Sequence, residues 1–370
     1  MTPPTNIGRV AFFLPSLRGG GAERSAVNLA AGFAARGVVV DMVLARAAGP
    51  YLQNLHPDVR VVDLGAPRVV YSLPRLSRYL RSQRPDAMVC FMDHANLVAL
   101  AARWLSGAPT RVIGTVHHNK TVQREQFRGV KVRAVTRMAW RAYPRLDAVV
   151  AVSHGVAESL ARESGMPLED IHTIYNPIVT PGLEARLRTA APGARGGGLV
   201  VGMGRLDAPK DFETLIRAFV AVRARRPARL LILGDGPGRP RLQALANQTG
   251  VADDVTFAGF VDDPYTTLLG ADVFVLSSRS EGLPTALIEA MACGCPVVST
   301  NCPSGPEEIL EGGRHGRLVP VGDAAALADA IVETMESPPD RDMLRRRAGD
   351  FSLEKSVDAY LALCAAPGKG

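Results

Sequence analysis

The sequence predicts an α/β protein of two doubly wound, parallel-sheet domains, and three observations carry that expectation. The chain has 370 residues, more than one hydrophobic core of ordinary size holds. Short apolar runs, each followed by turn residues and a helix-forming stretch, recur along it, an alternation that gives parallel sheets. Between Pro181 and Gly198 the composition shifts to Ala, Arg, Pro and Gly, and a fresh strand then begins. The expected organisation is a first domain over residues 1–182, a linker over 183–198, a second domain over 199–352 and a C-terminal helix over 353–370.

Composition narrows the class. Apolar residues make up 47% and charged residues 21%, a globular balance. The formal net charge of +7 favours anionic partners: nucleotide phosphates, an anionic membrane surface or nucleic acid. No aromatic-interleaved basic motif or zinc-ligand spacing supports the nucleic-acid option. Cys90, Cys293, Cys295, Cys302 and Cys364 form no disulfide framework and read as reduced, small apolar side chains. A metal site at Cys293, Cys295 and Cys302 lacks a fourth ligand, so no metal is expected. With no long apolar run and too short an apolar start for a signal peptide, the expected location is the cytoplasm.

The first domain opens with a buried strand, Gly8–Leu14, then the glycines Gly19, Gly20 and Gly21 and a helix ended by Gly37. A strand over Val38–Leu44 follows. This strand, glycine loop, helix and strand form a Rossmann-type opening in which bare backbone N–H groups approach phosphate. G-x-G-x-x-G is missing, which argues against a nicotinamide oxidoreductase. Strands at Val59–Leu64, Ala87–Phe91 and Arg111–Val116 end beside polar residues: Asp93, His94, His117, His118 and Asn119. In doubly wound sheets such positions line the ligand crevice, although a solvated loop histidine is equally ordinary.

Residues 119–146 carry Lys120, Arg124, Arg128, Lys131, Arg133, Arg137, Arg141 and Arg145 against Glu125 alone, with Trp140 and Tyr143 interleaved. Two readings stay open: a basic, aromatic segment on an anionic bilayer, spanning Lys120–Arg145, or a solvated helix face. Asp147–Val152 and Ile171–Ile178 complete the strands of this domain.

The second domain restarts with Leu199–Met203, and Arg205 and Lys210 bracket the turn behind it. Two cations at a strand's carboxyl end can neutralise a diphosphate; at about 4 Å each charge pair is worth roughly 4 kcal/mol before desolvation. Strands at Arg229–Leu233, Val255–Gly259 and Val273–Leu276 lead to SRSEGLPTALIEAMACGCPVVSTN, residues 278–301. Here Glu281, Gly282, Leu283, Pro284 and Thr285 precede a short helix carrying Glu289. Thr285 can cap that helix, Gly294 suits its end, and its N–H groups can bind phosphate. Two carboxylates flanking such a terminus fit a diphosphate ligand with hydroxyls on both sides, and two surface glutamates on an ordinary helix are the plainer reading.

These motifs resemble glycosyltransferase family 4, retaining enzymes of the GT-B fold. The likeness lies in GGAER (residues 20–24), the histidine pair with Asn119, VSHGVAESL (152–160), GRL with Lys210, Glu281 and Glu289 at the E-x(7)-E spacing, and CPSGPEEIL (302–310). The resemblance implies two Rossmann-like domains facing a cleft, with the last helix crossing back to the first. It implies that Arg205 and Lys210 hold the donor phosphates, Glu281 with Gly282–Thr285 faces the donor sugar, Glu289 grips the ribose, and the backbone at Phe260–Val261 meets the base. It further places the loop of Gly20 and Gly21 opposite the donor and a histidine, His118 by preference over His117, near the sugar. The implied activity is metal-independent transfer from a nucleotide-sugar, UDP being the commonest carrier, to a glycan or polyprenyl-linked acceptor in bacterial surface polysaccharide or glycolipid synthesis. A GT-B nucleotide-sugar epimerase and a non-catalytic membrane-associated scaffold are the alternatives.

Overall fold

A computed structural model describes residues 7–126, 129, 136, 137, 139–190 and 196–366. The chain forms two compact units, Met1–Pro177 with Leu353–Gly370, and Ile178–Ser352.

In the first unit seven parallel strands make one sheet: β1 (Arg9–Leu14), β2 (Val39–Leu44), β3 (Val59–Asp63), β4 (Ala87–Phe91), β5 (Arg111–Val116), β6 (Ala148–Ala151) and β7 (Ile171–Thr173), in the order β3-β2-β1-β4-β5-β6-β7. Val10 sits between Val40 on one side and Ala87 on the other. Every residue of β4, β5 and β6 is buried, as expected for strands covered on both faces. Among the described residues its helices include α1 (Gly21–Ala35), α2 (Leu73–Gln83), α3 (Asp93–Ser106), α4 (Lys120–Gln126) and α5 (His154–Ser164). The last expected strand stops at Thr173 rather than Ile178; the Ile174 N–H still donates to the Ala151 carbonyl at 3.0 Å, and the ladder ends there, before Pro177.

The basic segment departs from its bilayer reading. Trp140 and Tyr143, the aromatic residues expected to face lipid, are buried, and so is Lys120. Arg124 pairs with Glu163 at 3.0 Å, while Arg128, Lys131 and Arg133 lie outside the described residues.

The stretch expected as linker begins inside a helix, α6 (Pro181–Thr189). Its start is fixed by Pro181 in the first turn and by the Thr180 hydroxyl accepting from the Leu183 N–H. Residues 191–195 lie outside the described residues. The second unit then builds β8 (Leu199–Met203), α7 (Phe212–Arg225), β9 (Arg229–Leu233), α8 (Arg239–Gln248), β10 (Val255–Gly259), α9 (Tyr265–Gly270), β11 (Val273–Leu276), α10 (Thr285–Ala292), β12 (Val297–Thr300), α11 (Pro306–Ile309), β13 (Arg317–Val319), α12 (Ala324–Glu336) and α13 (Arg341–Ala348). Its six strands are parallel in the order β10-β9-β8-β11-β12-β13. Leu215, Ile216 and Phe219 of α7 join Leu327 and Ile331 of α12 in the core under β8 and β9.

The C-terminal helix, α14 (Leu353–Ala365), belongs to the first unit and packs on α1. Val357, Tyr360, Leu361 and Cys364 enter the same buried cluster as Ala26, Ala30 and Phe33. Gly32 permits the close approach: a Cβ there would lie 2.5 Å from Val357 Cγ2. All five cysteines are buried, and none forms a disulfide.

Candidate active site

Parallel strands place every carboxyl end on one edge of their sheet, and ligands bind where the strand order reverses. In the second unit that reversal falls between β8 and β11. The loop after β8 carries Arg205 and Lys210; the loop after β11 carries Glu281. The structure brings Lys210 and Glu281 together. Lys210 Nζ donates to Glu281 Oε1 at 2.6 Å, and the Ser278 hydroxyl donates to the same oxygen at 2.6 Å. Their side chains are only 24% and 10% exposed, so little solvent weakens the pair.

The two loops are tied together by residues that sequence reasoning passed over. Ser277 Oγ donates to the Lys210 carbonyl at 2.9 Å, and the Arg279 N–H to the Pro209 carbonyl at 2.8 Å. Arg279 also pairs with the buried carboxylate of Asp211 at 2.9 Å, which accepts from Thr214 Oγ1 at 2.7 Å. Asp211 holds φ +47°, a left-handed conformation with no sequence signal beyond the tolerance of Asp for it. Thr300, at the end of β12, donates to the Ser278 carbonyl at 2.6 Å.

Helix α10 begins at Thr285, with Pro284 at the N-cap and no capping side chain. Thr285 is therefore the first helical residue and not the cap, and the helix's first N–H groups remain on the site edge. Gly305, at φ +98°, tucks under this loop; a Cβ there would lie 2.4 Å from Pro284 Cδ. Gly294 ends the helix at φ +67°, and Glu289 lies buried in the middle of it.

The remaining predicted residues of this unit lie along the same edge. Arg205 is exposed, its Nε 3.4 Å from Asp207. Phe260 is exposed and Val261 partly buried just beyond β10. The glycine-rich turn after β9 lies between them. The Gly234 N–H donates to the Gly259 carbonyl at 2.7 Å, and the Leu206 N–H to the Asp235 carbonyl at 3.0 Å. A Cβ on Gly234 would lie 2.0 Å from the Gly204 carbonyl oxygen, so only glycine fits.

The first unit reverses its strand order between β1 and β4. Gly20 occupies the N-cap of α1 and Gly21 its first turn, behind β1. At the end of β4, Met92 takes φ +79° and Asp93 opens α3. Lys120 Nζ donates to both Asp93 oxygens at 2.7 Å, and the Tyr143 hydroxyl donates to Oδ1. Burial alone would raise the Asp93 pKa, but the Lys120 charge and these hydrogen bonds outweigh it and hold the carboxyl below its usual value. Behind β5, His117 stacks on Phe91 with ring centroids 5.5 Å apart, and its Nε2 lies 2.9 Å from Thr115 Oγ1. Burial first, then His118 and Lys120, push its pKa down to about 3, so this ring is neutral. His118 is exposed.

Two doubly wound sheets, each with polar loops at its switch point, define the class: a two-domain protein of the GT-B fold. The chain belongs to glycosyltransferase family 4. Residues 19–180 match the family model described as Glycosyltransferase Family 4, and residues 197–337 the one described as Glycosyl transferases group 1. Over 363 residues the chain is 30% identical to the lipopolysaccharide core biosynthesis glycosyltransferase LpsE of Rhizobium meliloti, covering 94% of this chain and 96% of that one. It is 26% identical over 266 residues to the N-acetylgalactosamine-N,N'-diacetylbacillosaminyl-diphospho-undecaprenol 4-alpha-N-acetylgalactosaminyltransferase of Campylobacter jejuni, covering 71% of this chain and 70% of that one. Among solved structures, Anabaena Alr3699/HepE in complex with UDP and glucose superposes with a TM-score of 0.76 at 20% identity, covering 96% and 98% of the two chains. The protein is thus a glycosyltransferase enzyme.

Proposed function

We propose that this glycosyltransferase moves a sugar from a UDP-sugar to a glycan or polyprenyl-linked acceptor in bacterial surface polysaccharide or glycolipid synthesis, with retention of anomeric configuration. The observation that carries the donor site is the Lys210–Glu281 contact at the switch point of the second sheet, beside the uncapped start of α10. Arg205, Lys210 and the first N–H groups of α10 take the donor diphosphate and stabilise its charge as the sugar leaves, the work of fixed electrostatic donors. On arrival the diphosphate competes for Lys210 and frees Glu281, with the Gly282–Thr285 backbone, for the sugar hydroxyls. Glu289 is assigned to the ribose and the backbone at Phe260–Val261 to the base. In the first unit, Gly20, Gly21 and His118 are assigned to the sugar and acceptor. No metal is required in this scheme, because the cations and helix terminus supply the countercharge. The UDP and glucose in the Anabaena complex support the donor assignment. The undecaprenol-linked substrate in the name of the Campylobacter relative and the lipopolysaccharide core biosynthesis in that of the Rhizobium one support the acceptor class.

Kinetics with a UDP-sugar test the assignment. Glu289→Ala raises the donor KM with a smaller effect on kcat, because ribose contacts are made equally in ground and transition states. Lys210→Ala lowers kcat by about 10²–10³-fold, the range for a lost charge-stabilising donor. An unchanged KM in the first variant, or near-normal turnover in the second, removes that residue from the site.

A further inference from the structure

Glu281 takes two donors on one oxygen, and they differ in kind. Lys210 Nζ and the Ser278 hydroxyl each reach Oε1 at 2.6 Å. Lys210 brings its charge on a flexible four-carbon stem. Ser278 has a single side-chain torsion and is fully buried. The backbone around it is fixed at three consecutive residues. Ser277 Oγ donates to the Lys210 carbonyl at 2.9 Å, the Ser278 carbonyl accepts from Thr300 Oγ1 at 2.6 Å, and the Arg279 N–H donates to the Pro209 carbonyl at 2.8 Å. Thr300 is itself fully buried, at the end of β12. The Arg279 guanidinium adds its pair with the buried Asp211 carboxylate at 2.9 Å. A hydroxyl on such a frame loses little freedom in forming its bond, so it holds its acceptor in one orientation.

The lysine cannot hold Glu281 throughout the reaction. In the donor site assigned above, the diphosphate takes Lys210, and Glu281 then meets the sugar hydroxyls without its cation. A carboxylate freed of its partners turns about its own side-chain torsions, and a misplacement of about 1 Å can cost about 10²-fold in rate. The Ser278 bond survives the exchange, because no hydrogen bond that fixes residues 277–279 involves the lysine ammonium. A hydroxyl bonded to an ionised carboxylate is also roughly twice as strong a contact as one to a neutral acceptor.

We propose that Ser278 is the positioning residue that keeps Glu281 aimed at the donor sugar once Lys210 has turned to the diphosphate. Ser278 retains Oε1, and Oε2 is left to the sugar. The proposal rests on the donor-site assignment of Lys210 and Glu281, and Ser278 acts through Glu281 rather than on the donor itself.

The test is a double-mutant cycle on turnover, with kcat and donor KM read as UDP released from a UDP-sugar. It compares the full chain with Ser278→Ala, Glu281→Ala and the two changes together. The expected result is a kcat about 10–100-fold lower in Ser278→Ala, the range for a lost hydrogen bond to a charged group. Donor KM changes less than about threefold, because the lost contact acts on the chemical step. Glu281→Ala loses more, and the double variant is slower than Glu281→Ala by no more than about twofold. A residue that acts through another adds nothing once that other is gone, whereas a merely structural loss would multiply. UDP raises the Tm of Ser278→Ala as it does that of the wild type, which shows the fold and the phosphate subsite intact. Losses that multiply in the double variant, a Ser278→Ala kcat within about twofold of wild type, a loss confined to KM, or a Ser278→Ala protein that UDP no longer stabilises overturn the proposal. An unchanged kcat in Glu281→Ala is the distinct result that overturns the donor-site assignment itself, and the role of Ser278 with it.

Discussion

Two lysines show how far single residues can be read from sequence. Lys210 stands between recognisable neighbours, GRL before it and a helix start behind it. The sequence therefore placed it at a strand's end, and the structure seats it on Glu281, 71 residues away. Lys120 stands in a run of basic residues and looks solvated, yet it is 1% exposed with its ammonium against both oxygens of Asp93. Burial pushes its pKa down and Asp93 pushes back. Nothing local announces this, because Asp93 and Tyr143 come from 27 residues before and 23 after it and meet only once the sheet is assembled. Removing one partner strands the other charge in the interior. Lys120→Ala should therefore cost about 3–5 kcal/mol in urea unfolding, as for other broken buried ion pairs. A loss under about 1 kcal/mol, typical of an exposed pair, would contradict the buried reading.

Elements were more legible than residues, and the misses have local causes. β4, β5, β8 and β11 end where the apolar runs end, because buried parallel strands are continuous hydrophobic stretches. The strand read through to Ile178 ends at Thr173, and the expected linker holds α6 because a Thr-Pro start nucleates a helix even in a poor composition. Gly32 shows the reverse problem. In sequence it is a weak point in α1, since glycine disfavours a helix interior. In the structure it is the slot for Val357 of α14. Gly32→Val should lower stability by about 1–3 kcal/mol through overpacking, despite the gain expected from replacing a helical glycine. Unfolding at the wild-type denaturant midpoint would show that α14 does not rely on this contact.

At the scale of the whole molecule, length, strand-helix alternation and the break near residue 190 were enough for two doubly wound domains. Their strand orders, and with them the switch points, follow from the parallel pairing. The central claim is that the second unit holds a nucleoside diphosphate through Lys210, Arg205 and the start of α10. It is tested most directly by thermal unfolding of the protein in EDTA against UDP, GDP, ADP and TDP. A ligand bound only by the folded state stabilises by about 2.7 kcal/mol at a hundredfold excess over its Kd. The account predicts a raised Tm with UDP that disappears in the Arg205→Ala/Lys210→Ala variant. A folded wild type whose Tm no nucleotide moves, or an equal rise in the double variant, would contradict it.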